Sequence, residues 1–356
     1  MKAAGTAKPI VIYRLGSLGD TIVALPCFHA IAKAEPHAQR IVLTNIPVSS
    51  KAAPLEGILG GSGLIHSTMA YPVGTRSLKA LWQLRGQLKA LGADTLYYLT
   101  PARGLKAVWR DVVYFKLCGF KRIIGAPTSA ALQTNLPQGP EQHLEQEASR
   151  MARCMAALGP LNLQDRALWD LRLTPAEQAR GQAITAAFSG QPFIAINMGG
   201  KVAKNDWGQA HWQALLGRLS EQHPTLGLMV VGAQEDSARA QAMALHWRGP
   251  VVDACGQLSP RESASAMQHA CVFAGHDSGP LHLAAAMNVP CVGLFGDNNP
   301  PAKWHPFGPN HRVIHRMAGV STITVDEVFT QVQGALQASA LQAPQTLHTT
   351  AQARAS

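Results

Sequence analysis

Short apolar runs alternate with longer helix-patterned stretches along most of this chain, and that alternation restricts the fold more than any other feature. The runs PIVIYR, RIVLTN and DTLYYL in the first part, and PFIAINMGG, LGLMVVGA, PVVDACG, CVFAGHDSG and VPCVGLFGD in the second, read as buried strands, with HRVIH as a last one. Between them, a stretch from Thr21 to about Ala34 and segments such as HWQALLGRLSEQHP and ESASAMQHA have helical character. Strand–helix–strand repetition calls for an α/β fold with parallel sheets covered by helices. At 356 residues the chain is long for one such unit, so two Rossmann-like halves are expected. We place the first over residues 1–170, a linker carrying a helix over 171–191, the second over 192–338, and a disordered Ala/Gln/Thr-rich tail over 339–356. The helix in HLEQEASRMARCMAALG stops at Gly159-Pro160. Two such halves leave a central cleft between the carboxyl ends of their sheets, where ligands bind in such folds.

Three strand-to-loop junctions carry residues suited to chemistry there. In VIYRLGSLGD, a Gly-rich turn after a strand ends on a carboxylate, where a phosphate site would want a donor. Gly16, Ser17 and Gly19 would face an acceptor, the glycines allowing close backbone approach to a sugar. Asp20 would take a proton from an attacking hydroxyl, cap the helix from Thr21, or do both. In INMGGKVAKNDWG, Gly199 and Gly200 allow close approach and Lys201 and Lys204 bring cations, Lys204 being the better phosphate partner; the alternative is a solvated surface pair.

The third junction is CVFAGHDSGPLHLAAAMN, with Pro280 suited to the first helical position. The free N–H groups of that helix start favour a diphosphate. Asp277 would cap the helix or accept a sugar or ribose hydroxyl, with Ser278, Gly279 and a donating His282 beside it. His276, Asp277 and His282 also admit a metal reading, but neither HExxH nor a second carboxylate cluster supports one, and no metal is expected. GxxxxGK[ST] and a post-strand GxGxxG are missing, which argues against P-loop hydrolysis and dinucleotide binding.

With 47% hydrophobic and 15% charged residues the chain is too apolar to be disordered. It shows no run of about 18 apolar residues to span a bilayer, and MKAAGTAKP contains no cleavable apolar region, so a cytoplasmic protein is expected. The six cysteines form no CxxC pair and read as buried free thiols. The net charge of +10 sits in the first half: residues 1–170 hold 19 Lys and Arg against 10 Asp and Glu, residues 171–356 hold 12 against 11. Residues 71–122 hold ten basic and two acidic side chains, on helices whose Leu81, Leu84, Leu88 and Leu91, then Trp109, Val112 and Phe115, recur at helical spacing. Either these are core-packing helices with solvated basic faces, or their surface meets an anionic partner such as a lipid head group or membrane face. Nucleic acid is not expected, for lack of any RNP-like stretch, zinc finger or long basic arm.

Together, RLGSLGDTIVALPCFHAI and AGHDSGPLHLAAAMNVPCVGLFGDNNPPAKWHPFG resemble glycosyltransferase family 9, the ADP-heptose:lipopolysaccharide heptosyltransferase family, over about residues 10–335. The resemblance implies a GT-B fold and inverting transfer from a nucleotide diphosphate sugar, without a cofactor or metal. The acceptor would lie on the N-terminal domain and the donor on the C-terminal one. It maps the catalytic base to Asp20, the phosphate-compensating lysine to Lys204, and the donor-holding D[ST]GxxH motif to Asp277, Ser278, Gly279 and His282. It also places Glu235 by the nucleoside and Leu258 by the base. The implied acceptor is an anionic glycolipid such as lipopolysaccharide core, met at the inner membrane face. Two loops depart from the family pattern: KxWP is KNDWG here, and FGPTDP is FGDNNP. Both border the donor sugar, so another nucleotide sugar, used in O-antigen or capsule synthesis, is the first alternative. A nucleotide-sugar epimerase of the same fold and a non-catalytic nucleotide-sugar or glycan binding protein are the others.

Overall fold

The computed structural model describes residues 8–45, 53–75, 77–140, 142–200 and 202–342. Its strands are β1 (Ile10–Tyr13), β2 (Arg40–Asn45), β3 (Ser67–Tyr71), β4 (Thr95–Tyr98), β5 (Arg122–Ile124), the short pair β6 (Pro137–Gln138) and β7 (His143–Leu144), then β8 (Phe193–Asn197), β9 (Gly227–Val230), β10 (Val251–Asp253), β11 (Val272–His276), β12 (Cys291–Phe295) and β13 (Arg312–His315). The helices in the first part are α1 (Leu18–Val23), α2 (Leu25–Ala34), α3 (Glu56–Leu59), α4 (Leu78–Ala90), α5 (Leu105–Leu117), α6 (Ala130–Gln133) and α7 (Glu147–Cys154). They are followed by α8 (Pro175–Thr185), α9 (Gln209–Gln222), α10 (Ser237–Ala244), α11 (Pro260–Met267), α12 (Gly279–Ala286) and α13 (Val325–Gln342).

β1, β4, β8, β11 and β12 are buried along their whole length, which is why they read as continuous apolar runs and why they pair in parallel. One sheet has the order β3-β2-β1-β4-β5 and the other β10-β9-β8-β11-β12-β13, both all-parallel. In each, the chain reverses direction beside the first strand: between β1 and β4, and between β8 and β11. These are the switch points at which doubly wound sheets open a crevice beyond their carboxyl ends.

The outer face of the first sheet buries Val11, Tyr13, Leu96 and Tyr98 under α4 and α5. The outer face of the second buries Ile194, Ile196, Leu228 and Val230 under α9 and α13. The two inner faces share one core, in which Ile12 and Tyr97 join Ala195, Met229 and Phe273. The segment expected as a linker is part of this structure. Its α8 lies so close to α11 that a Cβ on Gly181 would meet Ser265 Oγ at 2.3 Å.

Several local expectations are corrected. The first helix starts at Leu18, not Thr21, and is split at Ala24, where α2 begins with Pro26 in its first turn; proline cannot donate to a preceding carbonyl. The edge strands β3 and β5 lack the apolar signal because neither is buried. The tail expected to be disordered from residue 339 begins as helix: α13 continues to Gln342, with Ser339 Oγ donating to the Cys271 carbonyl at 2.7 Å. The rest of that tail, residues 343–356, lies outside the described residues. Trp109, grouped with the core-facing positions of its helix, points outward; the buried set on α5 is Val108, Asp111 and Phe115. All six cysteines are free, with Cys154 and Cys271 only partly buried. Among the described residues, no helix is long and apolar enough to cross a membrane.

Candidate active site

β1 delivers Arg14 into the interior and the chain then turns at Gly16, whose φ of +140° favours glycine. The Gly16 N–H donates to Asn45 Oδ1 at the end of β2, 2.9 Å away. A side chain at Gly16 would also collide with Asp20, whose Cβ would lie 2.6 Å from the added carbon. The reason is that Asp20 folds back over the turn: its Oδ2 accepts the Ser17 N–H at 2.6 Å and the Ser17 hydroxyl at 2.8 Å. Ser17, not Asp20, is the helix cap residue, so the expected N-cap role of Asp20 gives way to a third-position carboxylate closing the first turn. Gly16 itself stands outside the cleft lining.

The second sheet supplies the opposite wall. Asn197, at the end of β8, donates from Nδ2 to the Val231 carbonyl and accepts the Ser278 hydroxyl on Oδ1, at 2.8 and 3.1 Å. Ser278 is the N-cap residue of α12, but its hydroxyl is turned to Asn197 and does not cap the helix. The N–H groups of that first turn therefore remain for a ligand. Nor does Asp277 cap it: its Oδ2 accepts the Asn299 amide at 2.8 Å, and burial, with the Asp20 charge adding to it, lifts its pKa to about 6. His282 is buried in the first turn, and burial lowers its pKa to about 4 although Asp20 pulls the other way, so near neutrality it is an uncharged donor.

Asp20 thus acts electrostatically on Asp277 and His282 from the other half of the chain. Contact is as close: a Cβ on Gly19 would fall 2.9 Å from His282 Cδ2, and one on Gly279 would fall 2.6 Å from Leu18 Cδ2. The alternative metal reading of His276, Asp277 and His282 finds no support in the geometry. His276 Nε2 accepts the Trp207 N–H at 3.0 Å and its ring meets Trp212 edge-on, and among the described residues no cluster of three His, Cys, Asp or Glu side chains is placed to hold an ion.

The cleft has a volume of about 660 Å³. Of the residues singled out in the sequence, Ser17, Gly19, Asp20, Gly199, Gly200, Glu235, Leu258, Asp277, Ser278, Gly279 and His282 line it. Lys204 does not: its Nζ lies 3.5 Å from Asp297 Oδ1 at an exposed rim, while Val202 and Asn205 of the same loop reach the lining. Lys201 lies outside the described residues. Sequence reasoning missed Asn197, Asp236, Asn298 and Asn299, all in the lining. Asp236 accepts the Ala233 N–H at 2.9 Å, and a Cβ on Gly199 would come within 2.2 Å of its carboxylate, which is why a glycine stands there.

The departure KNDWG also has a structural reading. Asp206 takes a two-pronged bond from Arg239 of α10, at 2.6 and 2.9 Å, and accepts the Gly208 N–H, while Trp207 is buried with its indole on the Ile323 carbonyl. Burial opposes the Asp206 charge, but these bonds outweigh it and its pKa is lowered. The loop is anchored by an ion pair.

Comparison with known proteins gives this geometry relatives. Residues 150–323 match the model of glycosyltransferase family 9 (heptosyltransferase). Over those residues, just under half of its length, the chain is similar to glycosyltransferase family 9. It is 29% identical over 122 residues, 34% of its length and 36% of the relative's, to lipopolysaccharide heptosyltransferase 3 of Escherichia coli. The match thus spans about a third of that curated relative. Among solved structures, the family 9 glycosyltransferase of Veillonella parvula superposes with a TM-score of 0.69 at 18% identity, covering 93% of this chain and 98% of that one. E. coli heptosyltransferase WaaC with ADP superposes with a TM-score of 0.60 at 18% identity, over 92% and 99% of the two chains. The fold of this chain is GT-B, with its two Rossmann-like sheets facing the cleft.

Proposed function

We propose that this chain is an inverting glycosyltransferase that moves a sugar from a nucleotide diphosphate onto a hydroxyl of a lipopolysaccharide core or related surface glycan, ADP-heptose being the first donor to test. One observation carries the reading: Asp20 from the first sheet and the uncapped start of α12 from the second line the same cleft, a carboxylate base facing an anion site. The family's name and the relative's name as a lipopolysaccharide heptosyltransferase support heptose and that acceptor, and the ADP bound by the neighbouring WaaC supports the nucleotide.

The acceptor oxygen attacks the anomeric carbon as its proton passes to Asp20. The bond from that carbon to the phosphate oxygen breaks, and the nucleoside diphosphate leaves with the electron pair. The α12 N–H groups and the neutral His282 N–H meet the departing charge, and Lys204 joins them by exchanging Asp297 for the phosphates. Protein donors take this role without a metal or cofactor. Glu235 and Leu258 would lie beside the nucleoside, and Ser17 and Gly19 would form the acceptor side, with Gly16 shaping the turn behind them. Asp277 and Asn299 form a hydrogen-bonded pair suited to sugar hydroxyls. Because FGDNNP supplies that asparagine, it is the observation that favours the second reading, a different nucleotide sugar for O-antigen or capsule. The reaction is assigned to the cytoplasmic side of the inner membrane.

The test is Asp20→Asn. Losing the base should reduce kcat by about 10²–10⁴-fold with donor affinity unchanged, measured by transfer and by calorimetry with ADP, UDP and GDP in parallel. Full activity in the variant, or loss of nucleotide binding, would overturn the assigned role; no binding of any nucleotide would overturn transfer altogether.

A further inference from the structure

The outward face of α4 and α5 is apolar where a helix over a finished core should be polar. Leu105, Trp109, Val113 and Leu117 follow one another at four-residue intervals along α5 and are 39, 53, 56 and 62% exposed. On α4, Leu78 and Trp82 are 82 and 69% exposed. The core needs none of them, since Leu84, Leu88, Val108 and Phe115 already fill the space over the sheet. Arg85 joins the two stripes: its guanidinium lies 4.7 Å over the Trp82 ring and its Nε donates to the Leu117 carbonyl at 3.0 Å.

The charges around this face have one sign. Lys79, Lys89, Lys106 and Arg110 are exposed on the same two helices. The two acidic residues of the band are spoken for elsewhere: Asp94 pairs with Lys8, and Asp111 is buried, held by Tyr98, Arg103 and Arg110. Aliphatic and indole side chains amid lysines and arginines suit a layer that is hydrocarbon beneath and anionic at its head groups.

We propose that the α4–α5 face docks the protein on an anionic bilayer surface, with Trp82, Trp109, Leu105, Val113 and Leu117 entering the head-group boundary. A second copy of the chain fits less well, because an isologous contact would bring like charges together. Nucleic acid fits less well too, since most of the apolar side chains here are aliphatic and offer no face for base stacking. The docking does not depend on which sugar is transferred, and Asp20→Asn protein should bind vesicles as the unaltered chain does.

The experiment is flotation of the full chain with vesicles of phosphatidylethanolamine and phosphatidylglycerol, against vesicles of phosphatidylcholine alone. The protein is expected to float with the anionic vesicles, with blue-shifted tryptophan emission, and to be released by salt. Trp82→Ala with Trp109→Ala, and separately Lys79→Glu with Lys106→Glu, should each weaken partition by about tenfold or more, with unchanged melting temperature as evidence of folding. Equal flotation with neutral vesicles, or unchanged partition in both variants, would overturn the proposal. So would a dimer that dissociates in the same variants without vesicle binding, or preferential capture by a single-stranded oligonucleotide.

Discussion

Replacing Arg261 tests how the two halves are held together. Its side chain, 3% exposed, leaves α11 and makes five bonds. Nε and Nη2 donate to the two Glu177 oxygens of α8 at 2.6 and 2.9 Å. Nη1 donates to the carbonyls of Ile58 and Leu171 at 3.2 and 2.8 Å, and Nη2 to that of Arg172 at 2.8 Å. One guanidinium therefore ties the second half to the connecting segment and, through Ile58, to the first half.

Arg261→Met keeps the stem and strands a carboxylate and three carbonyls. Removing one partner of a buried pair costs about 3–5 kcal/mol. At about 2 °C per kcal/mol for a chain of this size, the melting temperature should fall by roughly 6–10 °C. Glu177→Gln should cost less, because its side chain is 19% exposed and the carbonyl bonds survive. The double variant should recover part of the loss, with a coupling above about 1 kcal/mol. Burial works against the Glu177 charge, but bonds from Arg261 and Thr174 outweigh it and lower its pKa, so this contribution is present above the ordinary glutamate range and is lost as pH falls through the lowered value. Differential scanning calorimetry of the four proteins is the assay. A fall below about 2 °C, or strict additivity of the two changes, would refute the picture of one guanidinium holding three segments.

Gly279→Ala should force α1 and α12 apart, because Leu18 Cβ would itself lie 2.9 Å from the new methyl and no rotamer change moves it. At about 1–3 kcal/mol for such overpacking, kcat/KM should drop roughly 5–150-fold, with Leu18→Ala restoring part of it; an active single variant would contradict the contact. Stability should also decline on acidification. Burial lowers the pKa of His276, His282, His305 and His311 to about 4, so between about 6.5 and 4 the unfolded chain binds more protons. Asp277, raised to about 6, opposes them as one group against four. Melting temperatures measured across that window should fall towards low pH, and a flat or rising profile would contradict the buried, neutral state of these rings.

The βα rhythm made both central sheets legible because their inner strands are buried on both sides, while β3 and β5, at the edges and partly exposed, carried no such run. The site was legible where chemistry and backbone coincide: Asp20 beside glycines, and Asp277 to His282 at a helix start. It was not legible where a side chain's direction is set by tertiary partners. Nothing in KVAKNDWG announces that Asp206 takes Arg239 from another helix, or that Lys204 rests on Asp297. Trp109 shares the helical period of the core positions; only the packing of Val108 and Phe115 decides that it faces outward.

The two strand-to-helix turns that meet in the cleft differ in how their polar side chains are engaged. At α1 the protein places its own carboxylate at the helix start: Asp20 accepts the Ser17 N–H and hydroxyl, and its negative charge there disfavours a phosphate. At α12 the equivalent serine gives its hydroxyl away to Asn197, and Asp277 gives its carboxylate to Asn299, which leaves the positive end of the helix uncompensated. Exchange the partners of these serines and both turns would read alike. On the proposed reading, an anionic donor would lie against α12. The carboxylate at α1, already held by two bonds in a fixed direction, would on that reading meet a neutral hydroxyl, and the contact of Leu18 and Gly19 with Gly279 and His282 would set the separation between the two.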